Sequence, residues 1–239
     1  MKKLIVTICG AALMCAALCG CGNGGEITAE EIYSQCIDNV VEVKAVSESV
    51  GESFGTAEII SEDGTLVTNA HVVTYTRLNT VNVFEEYFIR FSSEEDYRAV
   101  TLKKYDTEKD IAVLKIEIDD TEELSDIAAF TPVKLGNSES LKSGEKVYAV
   151  GNASNYGIGI FEGIVSIPLI NIVLDGVSKS VIQSDLTIAA GNSGGALLNA
   201  RGELVGITTF RTKDNSGNVI YGIVYSIPIN TVLEFVDAV

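Results

Sequence analysis

Histidine, cysteine and positive charge are all scarce in this chain, and each scarcity narrows what the protein can be. A single histidine, His71, stands in 239 residues, so any chemistry that needs an imidazole falls on one position. Of five cysteines, Cys9, Cys15, Cys19 and Cys21 crowd the amino terminus and Cys36 alone lies in the body. One thiol excludes an intrachain disulfide there, so the core must carry the fold unaided. A body of roughly 215 residues can bury enough apolar surface for that, given a chain that is 46% hydrophobic. Only 17 basic residues face 33 acidic ones, a net charge of −16 that becomes −18 if Lys2 and Lys3 are removed with a leader. Such a surface repels phosphate and has no Lys/Arg cluster to release counterions, which excludes nucleic acid as a partner. The acidic run Asp119-Asp120-Thr121-Glu122-Glu123 lacks the spaced ligands of a calcium loop and reads as a solvated connection.

Long apolar runs are also lacking, with one exception. Leu4 to Cys19, interrupted only by Thr7 and Gly10 and preceded by Lys2 and Lys3, is shorter than a membrane span of about 20 residues and has the make-up of a signal-peptide core. Residues 1–20 are therefore read as an export leader. Leu18-Cys19-Gly20-Cys21 resembles a bacterial lipobox, which makes Cys21, preceded by glycine, the candidate for lipid attachment and for the mature amino terminus, with the membrane as a partner through that lipid. Cleavage nearby with free secretion is the open alternative. Residues 21–38 read as a tether and a short helix: Gly22-Asn23-Gly24-Gly25 is flexible, and Thr28-Ala29-Glu30-Glu31 has the form of a capping box with Ile32, Cys36 and Ile37 facing inward. That placement gives Cys36 a packing role rather than a catalytic one.

The most distinctive stretch is Asp185 to Asn199, in which Ser193 is held between Gly191-Asn192 and Gly194-Gly195. Glycines on both sides allow backbone conformations closed to residues with a Cβ and let main-chain N–H groups approach a carbonyl oxygen. A serine hydroxyl becomes a useful nucleophile only when a base takes its proton. The stretch also fits the strand–turn–helix elbow G-x-S-x-G, in which the histidine follows the serine. No histidine follows Ser193, and Ala196 to Thr209 reads as a β-hairpin turning at Asn199-Ala200-Arg201-Gly202. The order histidine, aspartate, serine is a different one.

From Val40 onward, short alternating or apolar runs are separated by Gly, Asn, Asp and Ser. They are Val40–Val46, Thr56–Ile60, Thr65–Val67, Val81–Phe84, Phe88–Phe91, Ala99–Lys103 and Ile111–Ile116, then Lys146–Val150, Gly159–Val165, Ser180–Ser184, Gly195–Leu198, Leu204–Thr209 and Val219–Ser226. The polar segment Asp119–Ser143 between the two sets predicts two all-β halves, residues 39–125 and 126–228. Asn230 is placed to cap a last helix over 229–239, with Ile229, Val232, Leu233 and Val236 on one face.

His71 is expected at the end of the second strand of a hairpin, and Asp110 at the head of the apolar strand Ile111–Leu114, where a carboxylate can be buried and still reach an imidazole. The segments T-N-A-H-V-V, Y-D-x-E-x-D-I-A-V-L-K and G-N-S-G-G-A-L-L-N together resemble the three catalytic motifs of the HtrA/Deg branch of trypsin-like serine proteases, and Lys146–Ser166 and Tyr221–Pro228 resemble that family's second-barrel strands. The resemblance runs from about Cys36 to Val239. It implies an all-β fold of two six-stranded antiparallel β-barrels, a triad of His71, Asp110 and Ser193, an oxyanion hole from the N–H groups of Gly191 and Ser193, protein or peptide substrates, and no metal or cofactor. It also implies a specificity pocket near Ile188, with Thr187 before it and Ile223 opposite, suited to small or medium apolar residues, and a strand Thr208, Thr209, Phe210, Arg211 and Thr212 that pairs with substrate. Departures from the family are Ala190 where proline is usual and Gly55-Thr56-Ala57 for Gly-Ser-Gly. The PDZ domain usual in the family is not expected before Val239, and the homo-oligomer, a trimer in that family, is left open. A protease fold that has lost its chemistry and serves as a binding module is the alternative from another class.

Overall fold

The protein is described by a computed structural model covering residues 25–117, 130–174, 176–213 and 219–238. The leader, Cys21, the acidic run at 119–123 and the expected boundary at 125/126 lie outside the described residues. Helix α1 (Ala29–Cys36) begins with the expected capping box, the Thr28 side chain and Glu31 answering each other's backbone N–H. Ile32 and Cys36 are buried and Ile37 is partly so.

The first half contains β1 (Val40–Ser47), β2 (Gly51–Ile59), β3 (Thr65–Thr68), a one-turn helix α2 (Ala70–Val73), β4 (Thr74–Arg77), β5 (Thr80–Val83), β6 (Glu86–Arg90), β7 (Arg98–Asp106) and β8 (Ile111–Lys115). The second contains β9 (Lys146–Gly151), β10 (Gly159–Leu174), β11 (Val177–Ser184), β12 (Ala196–Asn199), β13 (Leu204–Lys213) and β14 (Val219–Pro228), followed by α3 (Ile229–Asp237). Each half closes into a six-stranded antiparallel barrel, in the orders β1-β2-β3-β8-β7-β6 and β10-β11-β14-β13-β12-β9. Closure removes the exposed edges an open sheet would present.

The apolar pattern accounts for this arrangement. Val41, Val43, Ala57, Ile59, Leu66 and Leu114 fill the first barrel. Val40, Val67 and Ile111, on the opposite faces of the same strands, point the other way, into a layer shared with Tyr148, Val150, Leu198 and Ile207 of the second barrel. Strands buried on both faces show a continuous apolar run instead of alternation, which is why Ile111–Leu114 has no polar member. Both terminal helices seal that layer, α1 through Ile32 and Cys36 and α3 through Ile229 and Val232.

Three details differ from the sequence reading. The run Val81–Phe84 does not join a barrel: as β5 it pairs with β4 in a separate two-stranded sheet. The strand starting at Gly159 continues to Leu174, making with β11 a hairpin longer than the apolar run predicts. Pro228, not Asn230, holds the cap position of α3, and the Asn230 side chain instead accepts from the Ser138 backbone and hydroxyl at 3.0 and 2.9 Å. Between the two halves, Val133 N–H donates to Ile59 O of the first barrel and Lys134 O accepts from Leu204 N–H of the second.

Candidate active site

β3 ends at Thr68, and Asn69 turns the chain into α2, so His71 sits in a helical turn beyond the strand rather than on the strand end expected. Asn69 donates through Nδ2 to the Asp110 carbonyl at 3.0 Å, tying the turn to the head of β8. Asp110 has φ of +59°. For a non-glycine residue such a backbone costs of order 1–3 kcal/mol and persists only where surrounding contacts hold it. Those contacts converge on its carboxylate: the His71 backbone N–H donates at 3.0 Å, His71 Nδ1 lies 3.0 and 2.9 Å from the two oxygens, and the Thr209 hydroxyl donates at 2.6 Å. Burial pushes the Asp110 carboxyl up. The His71 ring bond, the histidine's charge, the Thr209 hydroxyl and the His71 N–H outweigh it and hold the group below the ordinary aspartate value.

Thr209 reaches Asp110 because it is an extra residue in the ladder: Thr208 pairs with Ser226 and Phe210 with Tyr225, leaving Thr209 unpaired in a β-bulge. Bulges of this kind re-aim a side chain. The same residue offers its carbonyl to Ser193, whose hydroxyl donates to it at 3.1 Å rather than to His71.

Ser193 itself sits in the connection between β11 and β12. Gly191 and Gly194 have φ of +94° and +79°, and a Cβ would fall 2.1 Å from Asn152 O at the first and 2.2 Å from Thr68 Oγ1 at the second. Only glycine fits either place. The loop is fixed from three sides: Thr56 N–H donates to Ser193 O at 2.9 Å, the Thr56 hydroxyl to Gly191 O at 2.8 Å, and Gly194 N–H to Thr208 O at 2.8 Å. Ala190 O accepts from Ser154 N–H at 2.6 Å. Among the described residues the Gly191 and Ser193 N–H groups donate no hydrogen bond; Ser193 lines the cleft between the barrels, whereas Gly191 is buried and outside its lining.

His71, Asp110 and Ser193 line one cleft of about 650 Å³ between the barrels. Tyr75, Thr76 and Val81 of the β4–β5 sheet border it on one side, and Leu174, Lys179, Ile188 and Phe210 on the other. Of the other residues singled out from the sequence, Thr209 lines the cleft, Thr187 is exposed and outside the lining, and Ile223 is half-buried and also outside it. Thr208 is buried, with its N–H given to Gly195 O and its hydroxyl to Asn192 O, so it braces the serine loop. Arg211 pairs through its backbone with Val224, and Thr212 continues β13 beyond it. Sequence reading missed the bracing roles of Thr56 and Asn69 and the bond from Thr209 to Asp110. The only signal for Thr56 is its position after Gly55, since the partner carbonyl is 135 residues away.

These features define a double-barrel peptidase fold with a serine, a histidine and an aspartate in its cleft, and the family model for the trypsin-like peptidase domain matches residues 55–207. The chain belongs to that family, as a member of its HtrA/Deg branch. A probable periplasmic serine endoprotease DegP-like of Pseudomonas fulva is 33% identical over 186 residues, covering 78% of this chain and 34% of the relative. Serine endoprotease DegS of Haemophilus influenzae is 30% identical over 215 residues, 84% of this chain and 56% of the relative. The chain thus spans from about a third to just over half the length of these relatives. The solved HtrA-type protease AlgW with tripeptide superposes with a TM-score of 0.71 at 28% identity, covering 87% of this chain and 62% of that one.

Proposed function

We propose that this chain is an exported serine endopeptidase in which Ser193 is the nucleophile, His71 the general base and Asp110 the residue that orients and charge-stabilises His71. The observation that carries the reading is the His71 Nδ1 contact to the buried Asp110 carboxylate at 2.9 Å, in the same cleft as Ser193. With Nδ1 engaged, Nε2 is left to take a proton. The Ser193 hydroxyl exchanges its Thr209 acceptor for Nε2, its oxygen attacks the substrate carbonyl carbon, and the proton passes to His71 and then to the leaving amine. The developing oxyanion is met by the Gly191 and Ser193 N–H groups, a contribution of about 3–4 kcal/mol per donor in comparable sites.

An extended substrate pairs with the edge of β13 from Thr209 onward, because Thr208 is already bonded to the serine loop. Ile188 and the alanines after it face the residue before the cleaved bond, which favours small or medium apolar side chains there. Ser193→Ala and His71→Ala are expected to lower kcat by about 10⁵- to 10⁶-fold with the fold intact, and Asp110→Asn by about 10⁴-fold. A fluorophosphonate probe should label Ser193 in the parent protein. Retention of more than a tenth of the activity by Ser193→Ala, or absence of labelling, would overturn the triad.

Export rests on the leader-like composition of residues 1–20, and anchoring rests on Cys21. Cys21→Ser should move the protein from the detergent-extracted membrane fraction to the soluble one or stall its processing. Unchanged fractionation would reject the anchor and leave the catalytic reading untouched.

A further inference from the structure

The cleft lining holds one carboxylate, one imidazole and one ammonium group, and the first two hold each other: Asp110 grips His71. The third, Lys179, makes no ion pair among the described residues, in a protein with almost twice as many acidic as basic groups. It stands on β11 opposite Ile172, near the end of the hairpin that carries Leu174 to the rim. The Phe210 ring, which packs on Tyr225 with centroids 5.3 Å apart, lines the same cleft as Lys179 and Leu174. A second cavity of about 190 Å³ shares Asp110, Lys179, Thr209 and Phe210 with the cleft and adds Lys109, Ser178 and Ser180. Glu108 also borders it, and Lys109 there lies 3.4 Å from Asp106 and is spoken for. Lys179 is therefore the one cation on the shared wall whose charge is left for a ligand, and it is only partly exposed.

We propose that Lys179 is a specificity-determining residue, selecting substrates with Asp or Glu at the second or fourth position on the amino-terminal side of the cleaved bond. This rests on the endopeptidase reading above. A substrate strand along Thr209–Arg211 turns alternate side chains to the same side. With the residue before the bond directed to Ile188, the second and fourth face the wall formed by Phe210, Leu174 and Lys179. A cation offers nothing to an apolar or basic side chain and attracts a carboxylate; no carboxylate of the cleft lining other than the engaged Asp110 competes for it. For a partly exposed pair the gain is about two- to fivefold, and it shrinks as salt rises.

The test compares extended peptides that differ only by Glu, Gln or Lys at the second and fourth positions, read as the ratio of kcat/KM within each protein. The parent should prefer Glu to Gln by about two- to fivefold at low salt, Lys179→Met should bring that ratio to one, and Lys179→Glu should turn the preference towards Lys. Binding of the same peptides to Ser193→Ala, measured by fluorescence anisotropy, reads the charge preference without hydrolysis. Fluorophosphonate labelling of the parent reads the triad separately. Equal treatment of Glu and Gln peptides by a labelled, active parent, or a Glu preference that survives in Lys179→Met, would overturn the role of Lys179 and leave the triad standing.

Discussion

Two glycines show how much of the site is decided by single residues. Gly194 and Gly51 both have positive φ, +79° and +93°, but a Cβ on Gly194 would lie 2.2 Å from Thr68 Oγ1 and 2.3 Å from Thr56 O, whereas nothing stands within 4 Å of one on Gly51. The two atoms that a Gly194 Cβ would strike are bonded to each other, the Thr68 hydroxyl donating to Thr56 O at 2.6 Å, so neither can withdraw freely. Gly51→Ala should cost only the conformational term, about 1 kcal/mol. Gly194→Ala should cost more than about 2 kcal/mol or shift the Ser193 loop out of place. Urea unfolding of the two variants measures the difference, and equal midpoints would mean that the loop yields more easily than its contacts imply. The residues that the sequence exposed most clearly, Ser193 and His71, are those whose surroundings are local: a glycine frame for one and the lack of any rival histidine for the other.

At the scale of elements, what was legible depended on whether a strand's partners were near in sequence. The thirteen runs beginning with Val40–Val46 correspond to strands because period-two burial or continuous burial leaves a mark in the residues themselves. The Ser61–Gly64 turn and the Asn199–Gly202 turn are likewise local, each closed by a backbone bond to its own glycine. By contrast, the pairing of Val81–Val83 with Thr74–Arg77 outside the barrel is a tertiary choice. So is the extension of the Gly159 strand to Leu174, where half-buried and exposed positions alternate but Ile167, Leu169 and Val173 place apolar side chains at the exposed ones, which hides the alternation in the sequence. The bulge at Thr209 was invisible for the same reason: no residue type there requires it, and it is imposed by the register of β13 against β14. Asn230 misled because asparagine at a helix start is a good cap, yet Pro228, with its fixed φ of −58°, enters the helix first and frees the amide for Ser138.

The whole molecule turns on the layer between the barrels, because the cleft keeps its shape only while that layer holds them together. Glu58 lies in it. Its neighbours across the sheet are Val40 and Val67, both members of the inter-barrel core, it is fully buried, and neither carboxyl oxygen has a hydrogen-bond partner among the described residues. Burial pushes its carboxyl well above the usual glutamate range. The folded state therefore retains a proton that the unfolded chain releases near the ordinary value of about 4.3. A raised acid favours folding fully below the unfolded value, and that advantage is lost as pH rises towards the folded one, at up to about 1.4 kcal/mol per pH unit. Other groups act in different windows. Asp110, Glu203 and Asp63 are all held below the ordinary carboxylate range, so their contribution is lost only at more acid pH. Cys36, whose thiol burial raises to about 12, acts on the alkaline side, where the unfolded thiol ionises. Urea midpoints should accordingly fall between pH 5 and 7.5 in the parent protein and stay nearly level in Glu58→Leu, which should also be the more stable of the two at pH 7.5, since it removes an unpartnered acid from an apolar layer. A parent midpoint that is flat or rises across this window, or a Glu58→Leu variant with the parent's slope, would show that Glu58 does not hold a proton in the seam.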